Sequence, residues 1–225
     1  MEQLHKGLSD HGTTYFAYEQ SQGKGQRNKQ WHTQPGANII LSVILNTSSL
    51  QVSQQFALSM ATAIAAYNFF KIYALENVGI KWPNDLFWCD RKAGGILIEN
   101  IIRGECWQWA VAGIGININQ TTFDASIKKP VSLKQITGKT YDPVKLAKEL
   151  CEHLEKSYYQ LLNNEAEKLL KEYNDALYKR GKKIKLKKGA QVFEAIVKGV
   201  NANGQLIVES DDKKTLNVGE IKWII

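Results

Sequence analysis

Apolar residues recur at every second position in short runs at both ends of the chain, and at helical spacing in two blocks between them. "TTYFAY" (13–18) and "ANIILSVIL" (37–45) read as strands joined by a glycine-rich loop. Residues 51–75 predict a helix, because Val52, Phe56, Met60, Ile64 and Tyr67 recur at helical spacing and Gly79 lies just beyond as a stop. "VGIKWPNDLFWC" (78–89) and "AGGILIEN" (93–100) predict strands on either side of "DRK", a hairpin turn. "WQWAVAGIGININ" adds a strand in which Ile114, Ile116 and Ile118 alternate with Gly115, Asn117 and Asn119.

A helical block follows. Asp142 and Pro143 suit an N-cap and first turn, and Leu146, Leu150, Leu154, Tyr158 and Leu161 form an apolar stripe behind them. A second helix through Leu169, Tyr173 and Leu177 is expected to stop at Gly181. The period then returns to two in "KIKLKK", "QVFEAIVKGV", "GQLIVES" and "TLNVGEIKWII", with a "NANG" turn, which suggests a small β-barrel. The pattern divides the chain into 1–180 and 181–225.

Composition narrows the class. At 225 residues, 44% hydrophobic and 23% charged, the chain has the balance of a soluble globular protein with one sizeable core. No run reaches the roughly 18–20 apolar residues of a membrane span, and "MEQLHKGLSDHG" lacks a signal peptide's apolar centre. Cys89, Cys106 and Cys151 lack metal-like spacing and cannot all pair, which fits reduced thiols in the cytoplasm. The net charge of +7 points to anionic partners, although the run "KRGKKIKLKK" (179–188), which carries much of it, reads first as a solvated surface.

Four stretches place polar groups where a core does not need them. In "GKGQRNKQW" (23–31), Gly23 and Gly25 allow close backbone approach, Lys24, Arg27 and Lys29 supply charge, and Trp31 offers a ring for stacking. The loop is neither a dinucleotide fingerprint, which needs glycine at Asn28, nor a Walker loop, which ends in Gly-Lys-Ser/Thr. In "KWPND" (81–85), Lys81 ends an apolar run and Asn84 and Asp85 project at its tip. In "DRKAGGILIE" (90–99), Lys92 is followed by the side-chain-free Gly94 and Gly95. In "GIGININ" (113–119), isoleucines toward the core leave Asn117 facing the other way, where its amide suits magnesium or phosphate.

Taken in this order, GKGQR…W, KWPND, DRKAGGILIE and GIGININ resemble the biotin protein ligases across residues 13–120, and Gly219 and Glu220 in the terminal β-region fit as well. The resemblance implies an α+β fold: a mixed β-sheet with packed helices, similar to class II aminoacyl-tRNA synthetase catalytic domains, followed by a small SH3-like β-barrel. It implies ATP-dependent formation of biotinyl-5′-AMP and transfer of biotin to a lysine of a biotin carboxyl carrier protein. Lys92 matches the catalytic lysine, Lys24 and Arg27 basic residues beside it, and Asp85 a group that orients the acceptor lysine. Gln20, Gly23, Lys24, Lys92, Gly94 and Gly95 match the biotin pocket. Gly25, Gln26, Arg27, Lys29, Trp31, Lys81, Asn84 and Asn117 match the nucleotide side, with Asp85 and Asn117 as ligands for Mg2+.

Three departures accompany the resemblance. Gln26 stands where many relatives have arginine, and Asn28 replaces a loop glycine. The Asp-Ser-Thr-Asn stretch of the family does not precede the first strand, so the alternative reading is a biotin-binding protein of impaired ligase chemistry. A helix-turn-helix domain is not expected, which makes DNA binding an unfavoured reading, and "KIKLKK" lacks interleaved aromatics for stacking bases. Lipoate ligases share the architecture, but their arginine-pair and triple-glycine motif is absent.

Overall fold

The computed structural model describes residues 10–26, 31–124, 127, 129–210 and 213–224. Six strands form the first sheet: β1 (Thr14–Phe16), β2 (Ile39–Asn46), β3 (Val78–Lys81), β4 (Asp85–Trp88), β5 (Arg91–Arg103) and β6 (Cys106–Ile116). Their order is β1-β2-β6-β5-β4-β3, and every ladder is antiparallel. Isolated parallel bridges, Ile80↔Leu177 and Lys92↔Pro130, make the sheet mixed at its rim.

Alternation along β2 and β6 fixes which face is covered. Ile39, Leu41, Val43 and Leu45, with Ile114 and Ile116 paired against them, are at most 5% exposed in one large core. Helix α1 (Gln55–Ala74) lies across that face and is buried nearly all round, because its alanines let both the sheet and α3 (Pro143–Leu162) approach closely. Asp142 caps α3 as expected, accepting from the Val144 and Lys145 amides at 2.9 and 3.3 Å. Burying an isoleucine there contributes about 1.5–3 kcal/mol, so the apolar stripes decide the layering.

Three features differ from expectation. Helix α1 ends at Ala74, within one residue of the expected bound, but its stop is not Gly79: Leu75 and Asn77 take positive φ, and Gly79 lies inside β3 against Tyr178. A short α2 (Leu133–Thr137) appears in addition, held by a Ser132–Gln135 capping box and closed by Gly138 in the left-handed region. Helix α4 (Ala166–Asp175) stops six residues before Gly181. Sheet pairing is the competing force: Ile80 donates to the Ala176 carbonyl and the Tyr178 amide donates to Ile80.

The second sheet contains β7 (Lys183–Lys188), β8 (Gln191–Val200), β9 (Leu206–Glu209), β10 (Lys213–Leu216) and β11 (Lys222–Ile224), ordered β10-β9-β8-β7-β11. Its β8–β9 turn contains the expected "NANG", with Gly204 at φ 78° over the Phe56 ring. That turn also accepts a hydrogen bond from Trp82 Nε1 at 2.9 Å, which ties it to the first sheet. No helix among the described residues is long and apolar enough to cross a membrane.

Candidate active site

Lys92 would miss Asp85 in a regular hairpin. Asp85 pairs with Gly95 and Leu86 with Gly94, yet Phe87 pairs with Lys92, so Ala93 is an extra residue in β5. This bulge reverses the alternation and brings Lys92 onto the face of Gly95 and Asp85. Lys92 Nζ then sits 2.5 Å from Asp85 Oδ1. Lys81, opposite Asp85 in the β3–β4 ladder, stands 4.0 Å from the other carboxylate oxygen. One carboxylate between two ammonium groups leaves a net positive corner, with the Lys92 and Asp85 side chains only 28% and 22% exposed. The "DRK" turn is correspondingly shorter than expected: Cys89 and Asp90 make it, and Arg91 and Lys92 already belong to β5.

Beside this corner the sheet has no side chains. Gly95 pairs with Gly115, and both lie on the face away from the helices. A methyl group at Gly95 would come within 3.3 Å of Lys92 Nζ, and one at Gly115 within 2.6 Å of the Trp31 ring. Trp31 therefore lies on a glycine floor, with Lys92 Nζ 5.7 Å from its ring centroid. Its own indole nitrogen is buried with no partner among the described residues. Gly23 closes the base of the loop: the Trp31 amide donates to its carbonyl at 2.8 Å, and a Cβ on Gly23 would lie 2.2 Å from the Trp31 carbonyl oxygen.

The expected site residues thus divide. Asp85, Lys81, Lys92, Gly95, Trp31 and Gly23 come together, with Gln20 next to Gly23. Gly94 faces the core instead of the pocket, where a methyl would meet the Gly115 carbonyl at 2.7 Å; its requirement is close packing. Lys24 is exposed, Gly25 and Gln26 are half-buried, and Arg27 and Lys29 lie outside the described residues. Asn84 and Asn117 act as braces. Asn84 donates its amide to the Ile96 carbonyl. Asn117, expected to face a ligand, is 4% exposed, and its amide nitrogen bonds the Val131 and Lys92 carbonyls at 3.1 and 3.4 Å. Beyond Ile116 the chain leaves the ladder, so the alternation that predicted an outward Asn117 no longer applies.

As a metal pair, Asp85 and Asn117 fit poorly, because the carboxylate is clasped by two ammonium groups and Asn117 is only 4% exposed. Among the described residues no three His, Cys, Asp or Glu side chains cluster as metal ligands. Sequence reasoning passed over the segment 129–131, which runs beside Lys92 and exchanges backbone hydrogen bonds with it, and whose Pro130 carbonyl accepts from Arg91 at 2.6 Å. The capping box just after it, Ser132 to Gln135, was the available signal.

Residues 2–117 match the profile of the biotin/lipoate A/B protein ligase family, and residues 180–222 match the biotin protein ligase C terminal domain. The chain is 32% identical over 151 residues to the bifunctional ligase/repressor BirA of Bacillus spizizenii, covering 65% of this chain and 46% of that protein. It is 30% identical over 136 residues to the biotin–[acetyl-CoA-carboxylase] ligase of Paracoccus denitrificans, covering 57% of this chain and 55% of the relative. Over the matched regions the chain thus spans about half the length of these curated relatives. Its fold is that of the Aquifex aeolicus biotin protein ligase, solved in complex with biotin and ATP, with a TM-score of 0.83 over 99% of this chain and 93% of that one at 21% identity. By its sequence match over more than half its length, the chain belongs to the biotin/lipoate A/B protein ligase family.

Proposed function

We propose that this chain is an ATP-dependent biotin protein ligase that makes biotinyl-5′-AMP and transfers biotin to a lysine of a biotin carboxyl carrier protein. The observation that carries the reading is the Lys92–Asp85 pair beside the Gly95–Gly115 floor under Trp31. The relatives named as biotin–[acetyl-CoA-carboxylase] ligases support the reaction and its carrier partner. The catalytic domain comprises residues 1–180 and the carboxy-terminal domain residues 181–225, the latter an SH3-like barrel. With Cys89, Cys106 and Cys151 all free, the cytoplasm suits it.

In the first step a biotin carboxylate oxygen attacks the α-phosphorus of ATP and pyrophosphate leaves. Two anions must meet, and the Lys92 ammonium offsets their repulsion and the charge that moves onto the leaving group. Asp85 holds Lys92 in line, and Lys81 adds a second cation at the same corner. Magnesium would come with ATP and offset the charge of its phosphates, since the Asp85 carboxylate is already clasped by Lys92 and Lys81. The glycine floor seats Trp31, whose ring stacks on adenine, and the basic loop with Lys24, Arg27 and Lys29 covers the adenylate against water. Gln20 and Gly23 sit at the biotin end. In the second step the carrier lysine's amine attacks the acyl carbon, AMP leaves, and an amide forms. Asp85 orients that amine, whose proton passes to solvent.

The test is biotin-dependent exchange of labelled pyrophosphate into ATP. Lys92→Ala is expected to lower the exchange rate by roughly 100-fold or more with the fold intact, the scale of one charge-stabilising group. A rate near wild type would remove Lys92 from the chemistry.

A further inference from the structure

Lys81 is held by more than Asp85. Its Nζ lies 5.2 Å from the Phe87 ring centroid and 5.6 Å from that of Trp223, and its side chain is only 16% exposed. Phe87 belongs to the same hairpin as Lys81. Trp223 comes from β11, in the other sheet and two residues before the last, Ile225. Its register explains its direction. Trp223 pairs with the fully buried Leu186, so it points inward while Lys222 and Ile224 on either side are exposed. Tyr178, whose centroid is 5.9 Å from the indole, packs beside it.

The indole nitrogen of Trp223 is buried and has no hydrogen-bond partner among the described residues. A buried N–H with no acceptor is a cost, so the N–H does not account for a tryptophan here. Its ring face does: a cation within about 6 Å of an indole centroid is attracted by the ring quadrupole, more strongly than by phenyl or phenol.

We propose that Trp223 is a positioning residue for adenylation, acting through Lys81; the inference rests on the ligase reading above. Two aromatic faces from two sheets hold the Lys81 ammonium near Asp85 but short of a tight ion pair, so that Lys92 keeps the carboxylate. With Trp223 removed, Lys81 competes with Lys92 for Asp85, and the anionic substrate loses a prearranged cation. A further tie between the two sheets, Trp82 Nε1 to the Gly204 carbonyl, braces the same turn, and from α4 the Tyr173 hydroxyl donates to the Pro83 carbonyl at 2.9 Å. The carboxy-terminal sheet thereby shapes the ATP corner without supplying a group that touches the reacting atoms.

Trp223→Leu keeps an apolar filler and deletes the ring, whereas Trp223→Phe keeps a ring face and deletes the N–H. Two readouts separate cage from catalysis. The first is the ring-current shift of the Lys81 side-chain methylenes by NMR, expected upfield in wild type and Trp223→Phe and reduced in Trp223→Leu to the part that Phe87 supplies. The second is pyrophosphate exchange: Trp223→Leu is expected to lower kcat/KM about five-fold or more, chiefly through KM for ATP, while Trp223→Phe stays within about two-fold of wild type. In a Lys81→Met background Trp223→Leu should add less than about two-fold, since residues acting through one another are not additive. An equal loss in that background would show that Trp223 only supports the fold and would overturn the proposal, as would normal exchange by Trp223→Leu once its share of the NMR shift is gone. A wild-type chain with the shift but without exchange would sink the ligase reading and leave the cage standing.

Discussion

The two faces of strand β6 are built from opposite materials. Ile114 and Ile116 on one face are 2% and 1% exposed in the main core, under α1 and α3. Gly113 and Gly115 on the other face carry no side chain, and the second lies directly beneath Trp31. Both faces belong to the same eleven residues, so the difference is not one of backbone. The isoleucines hold the strand in register by what they bury, and the glycines are useful for what they leave open. Stability and ligand space are separated by one step along the chain.

If that division is right, substitutions on the two faces should break different things. The largest effect should come from Ile116→Ala, which removes fully buried volume and should cost about 2–5 kcal/mol of unfolding free energy in denaturant titration. The same variant should keep its exchange rate per folded molecule. Gly115→Ala should do the reverse. Its methyl group, 2.6 Å from the Trp31 ring, must displace that ring, and a displacement of about 1 Å at a reacting site costs on the order of 100-fold in rate, or about 2.7 kcal/mol of barrier. Melting temperature should hardly move. If Gly115→Ala lost stability and kept activity, the glycine face would be a packing surface and the comparison would fail.

Smaller effects sharpen the comparison at the edges of the core. Tyr173 is fully buried, and its hydroxyl donates to the Pro83 carbonyl in the turn before Asp85; burial, then the negative charge of Asp85, pushes its pKa up. Tyr173→Phe leaves that carbonyl without its donor and should cost about 1–3 kcal/mol of stability. A further drop in exchange rate would show that the turn's position matters to the site. The smallest effect is a pH dependence. Burial beside Phe69, with Lys156 nearby, lowers the pKa of His153 on α3. The sign follows from that direction: the neutral form fits the fold, so the contribution of His153 is present above its ordinary value near 6.5 and is lost as pH falls below it. Thermal melts of wild type and His153→Gln from pH 8 to pH 5 should therefore show the wild type losing ground toward the acid end.

Much of this architecture was legible in the residue pattern. The Ile114-Ile116 alternation marked a half-buried strand, and Asp142-Pro143 marked the start of α3, because both signals are local. The site was legible as a set of stretches, since glycines and charges that no core requires stand out. Their roles were harder to separate. Gly94 and Gly95 are adjacent and alike in sequence, yet one faces the core and the other the lysine corner. Asn117 looked outward by alternation and turned inward, because the ladder ends at Ile116 and its amide is needed by the Val131 carbonyl.

What the sequence determined alone is therefore the list of elements, the face each strand buries, and the chemical character of the loop, turn and glycine stretches. Periodicity and turn chemistry act over a few residues, so they can be read without knowing the neighbours. The tertiary structure decided which of those stretches meet. A single extra residue at Ala93 puts Lys92 on the side of Asp85. Pairing of Ile80 with residues 176–178 cuts α4 short of Gly181. A tryptophan from the last strand reaches Lys81 across 142 positions of sequence. Contacts of that separation depend on how the layers pack against one another, and no local pattern carries that information.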